Sequence, residues 1–213
     1  SGCGKSTLLT IMAGLKKPSE GQALLDGEPI SGPGGKIGYM LQKDHLFEWR
    51  SILSNTALGL EIHGNVSPDD KKDLLSMLKT YGLEQFSASR PSELSGGMRQ
   101  RAALIRTMAL KPDILLLDEP FSALDYQTRL DVCDDISSII RTRGKTAILV
   151  THDLSEAISV ADRILILGSR PGHVTGIMKI QFNQPYDRPL ARRNAPDFSV
   201  YFNQLWKEIK EHE

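Results

Sequence analysis

Ile114-Leu115-Leu116-Leu117-Asp118-Glu119-Pro120 decides the fold class. Four apolar residues without alternation suit a strand covered on both faces, and the proline ends it. Toward the C terminus, residues 124–142 place Leu130, Cys133, Ile136 and Ile140 at helical spacing. Residues 146–150 read as a second apolar strand, 154–161 as a helix and 163–167 as a third strand. Toward the N terminus, residues 37–41 make a strand that delivers Gln42 at its end. A Gly/Pro loop (31–36) and a short hairpin turning on Asp26-Gly27 come before it, and a helix over 5–15 before that. Strands alternating with helices predict an α/β domain with a mostly parallel sheet.

Between residues 43 and 109 the pattern turns helical. Residues 51–63 and 68–81 are two candidates, the second with Asp69 and Asp70 in its first turn and Leu74, Leu78 and Tyr81 on one face. A third helix follows Ser95-Gly96-Gly97 and runs to about Leu110. After Gly168, residues 173–182 read as a strand, 183–195 as a connector and 196–211 as a helix. That helix carries Phe198, Phe202, Leu205, Trp206 and Ile209 as a stripe expected to pack on the domain. The expected organisation is one domain over 1–213. Its core is 1–42 and 110–168, its helical subdomain 43–109, and its C-terminal extension 169–213.

Composition narrows the function classes. Lys plus Arg number 26 and Asp plus Glu 26, so net charge is zero and nucleic acid is not an expected partner. The only cysteines, Cys3 and Cys133, lack a C-x-x-C partner, which disfavours metal ligation and a disulfide framework and suits a reducing cytosol. No apolar run approaches the roughly 18 residues that cross a bilayer, so membrane association would go through a partner.

Ser1-Gly2-Cys3-Gly4-Lys5-Ser6-Thr7 reads as the second half of a phosphate-binding loop, G-x-x-x-x-G-K-[ST]. Small residues let backbone N–H groups curl around an anion at a helix N-terminus; Lys5 would reach phosphate oxygens and Ser6 would hold Mg²⁺. Asp118 fits a Mg²⁺ ligand, and Glu119 a group that orients or deprotonates an attacking water. Gln42 and His152 follow neighbouring strands and share that edge. Ser95-Gly96-Gly97 offers a second anion cradle, and one bound nucleotide hardly needs two, so a second chain would supply it. Each feature also has a plainer reading: a Gly-rich turn, an acidic strand end, a solvent-facing Gln, a structural His, a helix cap.

Taken together the motifs resemble the ATP-binding subunit of ABC transporters. They are Gly4-Lys5-Ser6-Thr7, Gln42, Leu94-Ser95-Gly96-Gly97-Met98-Arg99-Gln100-Arg101, Leu117-Asp118-Glu119-Pro120, Ser122-Ala123-Leu124-Asp125 and His152. Met98 stands where that family most often has Gln, a change that leaves the backbone cradle intact. The resemblance implies a P-loop NTPase with a RecA-like core, an inserted helical subdomain and a remnant antiparallel β subdomain. It implies ATP and Mg²⁺ as cofactors. Phosphate would be bound by Gly2, Cys3, Gly4, Lys5, Ser6 and Thr7, and Mg²⁺ by Ser6, Gln42 and Asp118. Glu119 would be the general base, with His152 on the γ-phosphate. Ser95, Gly96 and Gly97 would close over the partner chain's ATP, and Asp125 would lie at that interface.

The implied partners are a second copy or a paralogue, joined through ATP, and a transmembrane permease docking near residues 44–55, including Leu46, Phe47 and Trp49. Trp49 suits docking and subdomain core equally. An extracytoplasmic solute-binding protein would act indirectly, and the chain would sit at the cytoplasmic face of the membrane through the permease. The stretch 39–50 and Ser169-Arg170-Pro171-Gly172 are similar to the nitrate/sulfonate/taurine importer group; importers of thiamine precursors and other small organics share this look. The strand that leads into the loop, which by resemblance lies between those ending at Val150 and Leu167, is missing, so a fragment of a longer protein is expected. The alternative is a soluble ABC-type ATPase acting on DNA or ribosomes. Residues 8–94 hold none of the heptads of its coiled-coil members, and ribosome-acting members usually carry two cassettes.

Overall fold

The computed structural model describes residues 3–64, 66–168, 172–186 and 188–211. Helix α1 (Lys5–Met12) is followed by a hairpin, β1 (Leu24–Leu25) and β2 (Glu28–Pro29). Asp26 and Gly27 both take positive φ, 52° and 84°, as a tight primed turn requires. Strand β3 (Ile37–Met40) leads to α2 (Ile52–His63), α3 (Pro68–Thr80) and α4 (Gly96–Met108). Then come β4 (Ile114–Asp118), α5 (Tyr126–Thr142), β5 (Thr146–Val150), α6 (Leu154–Val160) and β6 (Arg163–Leu167). Strand β7 (Val174–Lys179), the short α7 (Pro189–Arg193) and α8 (Phe198–Glu211) complete the chain.

β3, β4 and β5 form a parallel sheet with β4 in the middle. The apolar run of β4 is buried on both faces because its side chains alternate. Leu116 packs with Leu9 of α1 and with Ala13 just after it, while Leu115 and Leu117 join the main core with Ala102, Ile105, Val132, Cys133 and Ile136 of α4 and α5. The inserted helices share that core through Ile52, Leu74, Leu78 and Leu104. Ser67 caps α3 and exchanges hydrogen bonds with Asp70, which hold that carboxyl below its usual range.

Among the described residues β6 pairs antiparallel with β7, Ile164 opposite Met178, and not with β5. Two expectations change. The connector 183–195 contains α7, started by Pro189 and held by Arg192, whose Nη1 donates to the carbonyls of Ser159, Val160 and Ala161 at the end of α6. In α8, Leu205 is buried with Phe198, Phe202 and Ile209 against it, but Trp206 turns outward and is 49% exposed, with Lys210 over its ring. The loop stretch at 169–171 and the residues Ser1 and Gly2 lie outside the described residues.

Candidate functional site

Met40 is level with Leu117, and Asp118 with Val150, so β3, β4 and β5 end side by side. Gln42, Glu119 and His152 leave the sheet at this edge, and their side chains meet. Gln42 Nε2 donates to Glu119 Oε2 at 3.1 Å, and His152 Nδ1 lies 3.3 Å from Glu119 Oε1. Each carboxylate oxygen of Glu119 thus has one partner, from the chain beyond each flanking strand. The backbone is fixed as well. Glu119 takes φ +45°, a left-handed conformation that costs a non-glycine residue on the order of 1 kcal/mol or more. Its N–H donates to the Val150 carbonyl at 2.9 Å, and its carbonyl accepts from the Ser122 N–H and hydroxyl at 3.2 and 3.0 Å. These bonds offset that strain and aim the carboxylate away from β4.

Asp118 shares a face of β4 with Leu116, by strand alternation, and therefore points to the side where α1 packs. Its carboxylate is buried, and among the described residues Oδ1 has no hydrogen-bond partner. An unpaired oxygen of this kind is expensive to bury, and a hard cation would satisfy it. Tyr39 stands beside it: burial pushes the phenol up, and the Asp118 carboxylate pushes it further. Tyr39 is a neighbour that sequence reading missed. Only the β3–β4 register, which levels Tyr39 with Leu116, places it there.

Gly4 begins α1 with φ +93°, and a side chain there would meet open space. Lys5 curls back over its own loop, Nζ 3.4 Å from Cys3 Sγ, while Ser6 and Thr7 are exposed in the first turn. Ser6, Gln42 and Asp118 offer a hydroxyl, an amide oxygen and a carboxylate, a donor set that suits Mg²⁺. Among the described residues, no group of three or more His, Cys, Asp or Glu could hold a metal. Burial pushes the Cys133 thiol up to about 12.

A second constellation lies where α4 and α5 begin. The Ser95 hydroxyl accepts from the Met98 N–H at 3.4 Å and caps α4. Asp125 caps α5 in the same manner through the Thr128 N–H at 3.1 Å, and hydrogen bonding to the Thr128 side chain first and to its backbone second lowers the Asp125 carboxyl pKa. The two helix starts touch. A Cβ on Gly96 would lie 3.1 Å from Leu124 Cδ2, and one on Gly97 would lie 2.7 Å from Thr128 Cγ2 and 3.0 Å from Val132 Cγ2. Gly97 is therefore buried against α5, whereas Ser95, Gly96 and Asp125 face outward.

The loop at 44–51 divides its apolar residues. Leu46 is buried in the main core, which corrects its assignment to the docking surface. Trp49 is 72% exposed and stacks on Phe47 with ring centroids 4.7 Å apart, so it is not core. Fully buried Asn55 ties the loop down: its Oδ1 accepts from the Phe47 N–H at 2.7 Å, and its Nδ2 donates to the carbonyls of Phe47, Arg50 and Ser51. Nothing in the sequence marks Asn55, since a polar residue on an amphipathic helix normally faces water.

Residues 1–122 match the ABC transporter family. The uncharacterized ABC transporter ATP-binding protein YtlC of Bacillus subtilis (strain 168) is 46% identical over 209 residues, covering 98% of this chain and 80% of that protein. The taurine import ATP-binding protein TauB of Rhizobium johnstonii is 41% identical over 210 residues, covering 99% and 80%. The dimeric post-hydrolysis structure of the ATP-binding cassette MJ0796 bound to ADP and Pi is similar with a TM-score of 0.71 and 33% identity, covering 84% of this chain and 82% of that one. The structure of cbiO1 from Clostridium perfringens, part of the ABC transporter complex cbiONQ, gives 0.69 and 27%, covering 78% and 69%.

Proposed function

We propose, from the premise that this chain belongs to the ABC transporter family as one of its ATP-hydrolysing ATP-binding proteins, that it powers a membrane importer of a small solute. The observation that carries the catalytic part is Glu119, held by Gln42 on one carboxylate oxygen and His152 on the other. A carboxylate fixed in this way at the end of a central parallel strand is placed to take a proton from a water attacking the γ-phosphorus of ATP. That water's oxygen bonds to phosphorus as the bond to the ADP oxygen breaks. Gly2, Cys3, Gly4, Lys5, Ser6 and Thr7 cradle the phosphates, and His152 contacts the γ-phosphate. Ser6, the Gln42 amide oxygen and Asp118 would hold Mg²⁺; the unpaired Asp118 Oδ1 supports this. When bound, the ion would neutralise charge developing between the β- and γ-phosphates.

Ser95, Gly96 and Gly97, at the start of a 13-residue helix, close over the ATP of a second copy or a paralogue, with Asp125 beside that seam. Exposed Trp49, packed on the half-buried Phe47 within residues 44–55, receives the permease, a membrane protein that keeps this chain at the cytoplasmic face. No helix among the described residues is long and apolar enough to cross a membrane. An extracytoplasmic solute-binding protein would feed the permease. The 41% identity to TauB favours a taurine-like or related organic solute. The test is Glu119→Gln in the full-length protein. ATP binding should persist while turnover falls by about a hundredfold or more; hydrolysis at the parent rate would overturn the assignment of the base.

A further inference from the structure

His152 sits between two residues whose polar groups lead into the protein. The Asp153 N–H donates to Thr151 Oγ1 at 3.0 Å, closing the turn around His152. The Thr151 hydroxyl in turn donates to Glu156 Oε2 at 2.6 Å. Glu156, in the first turn of α6, is only 3% exposed. The helix does not need it as a cap, because Asp153 Oδ1 already accepts from the N–H groups of Ser155 and Glu156 at 2.8 and 3.1 Å. Burying a carboxylate is costly, and its pKa is raised chiefly by that burial, with the Thr151 hydrogen bond opposing. The Arg129 guanidinium of α5 faces it: Nε is 3.8 Å from Glu156 Oε1 and Nη1 is 3.6 Å from Asp153 Oδ2. Nη2 of the same arginine donates to the Leu124 carbonyl at 3.0 Å, next to Asp125. Among the described residues Arg129 Nε is buried without a hydrogen bond of its own, so the guanidinium is held by position among these groups.

We propose that Thr151, Glu156 and Arg129 form a positioning unit that sets His152 against Glu119 and links that turn to the turn before Asp125. None of the three touches the reacting atoms. The Thr151 hydroxyl fixes the turn, Glu156 fixes Thr151, and Arg129 makes the His152 turn and the Leu124–Asp125 turn a single rigid piece. The inference rests on the reading of His152 as the γ-phosphate contact.

Thr151→Val tests it in the full-length protein, since it removes a hydroxyl and keeps the shape. Steady-state hydrolysis should show kcat reduced by about tenfold, as for loss of one positioning hydrogen bond to a charged group, with the KM for ATP changed less than about twofold. Thr151→Ser, which restores the hydroxyl, should recover most of the rate. The discriminating measurement is made in a His152→Ala background. There Thr151→Val should lower kcat no further, because the residue it positions is gone. An equal drop in both backgrounds would overturn the proposal, and so would a Thr151→Val enzyme with the parent kcat. If His152→Ala itself turns over at the parent rate, the underlying reading of His152 falls and the proposal falls with it; that result differs from both of the others.

Discussion

At the scale of single residues, the site is made of side chains whose partners cost something to supply. Glu119 occupies a left-handed backbone conformation, and Glu156 is a buried carboxylate. Glu156 gives a pH prediction with a definite sign. Burial raises its pKa above the ordinary 4.5, against the lowering by Thr151 and Arg129. A carboxyl whose folded value is raised favours the folded state in its protonated form. That contribution is complete below the ordinary value and fades as pH rises through the folded one. Glu156→Gln, which cannot ionise, should therefore gain stability relative to the parent as pH rises above the ordinary carboxyl value. Urea unfolding across that range measures the difference. A flat or falling difference would mean that Arg129 and Thr151 outweigh burial.

At the scale of elements, glycine and asparagine hold together what the sequence leaves unconnected. Gly97 lies where α4 crosses α5, with Thr128 Cγ2 and Val132 Cγ2 in the space of a Cβ. Gly97→Ala should cost about 1–3 kcal/mol of stability through overpacking. Gly96→Ala, opposite only the flexible end of Leu124, should cost less; thermal unfolding ranks the two, and an equal loss would contradict the packing. Asn55→Leu should cost about 1–3 kcal/mol, because the Phe47 N–H and three carbonyls lose their partner. In a Trp206→Phe background the emission of Trp49 should change as its loop loosens; an unchanged spectrum would argue against Asn55 as the anchor.

These elements also show how far the sequence could be read. The apolar run of β4 revealed its burial on both faces because strand length and composition leave no other environment for it. The shared edge of Gln42, Glu119 and His152 followed from strand order alone. Leu46 reads as docking surface and Trp49 as either docking surface or core, since a loop has no period to assign a face. The partner of β6 was hidden for a related reason: an apolar strand states that it is covered, not which strand covers it. The packing role of Gly97 depends on a helix crossing, a long-range fact outside any local pattern.

At the scale of the whole molecule, the prediction concerns stoichiometry. If Ser95 and Gly97 act on another chain's nucleotide, full-length Glu119→Gln should run as a dimer with ATP and as a monomer with ADP in gel filtration with light scattering. A monomer under both conditions would count against the shared site. The guanidinium of Arg192 has a different consequence. It ties α7 to the last carbonyls of α6, so a helix made earlier in synthesis is latched only once the C-terminal extension has emerged.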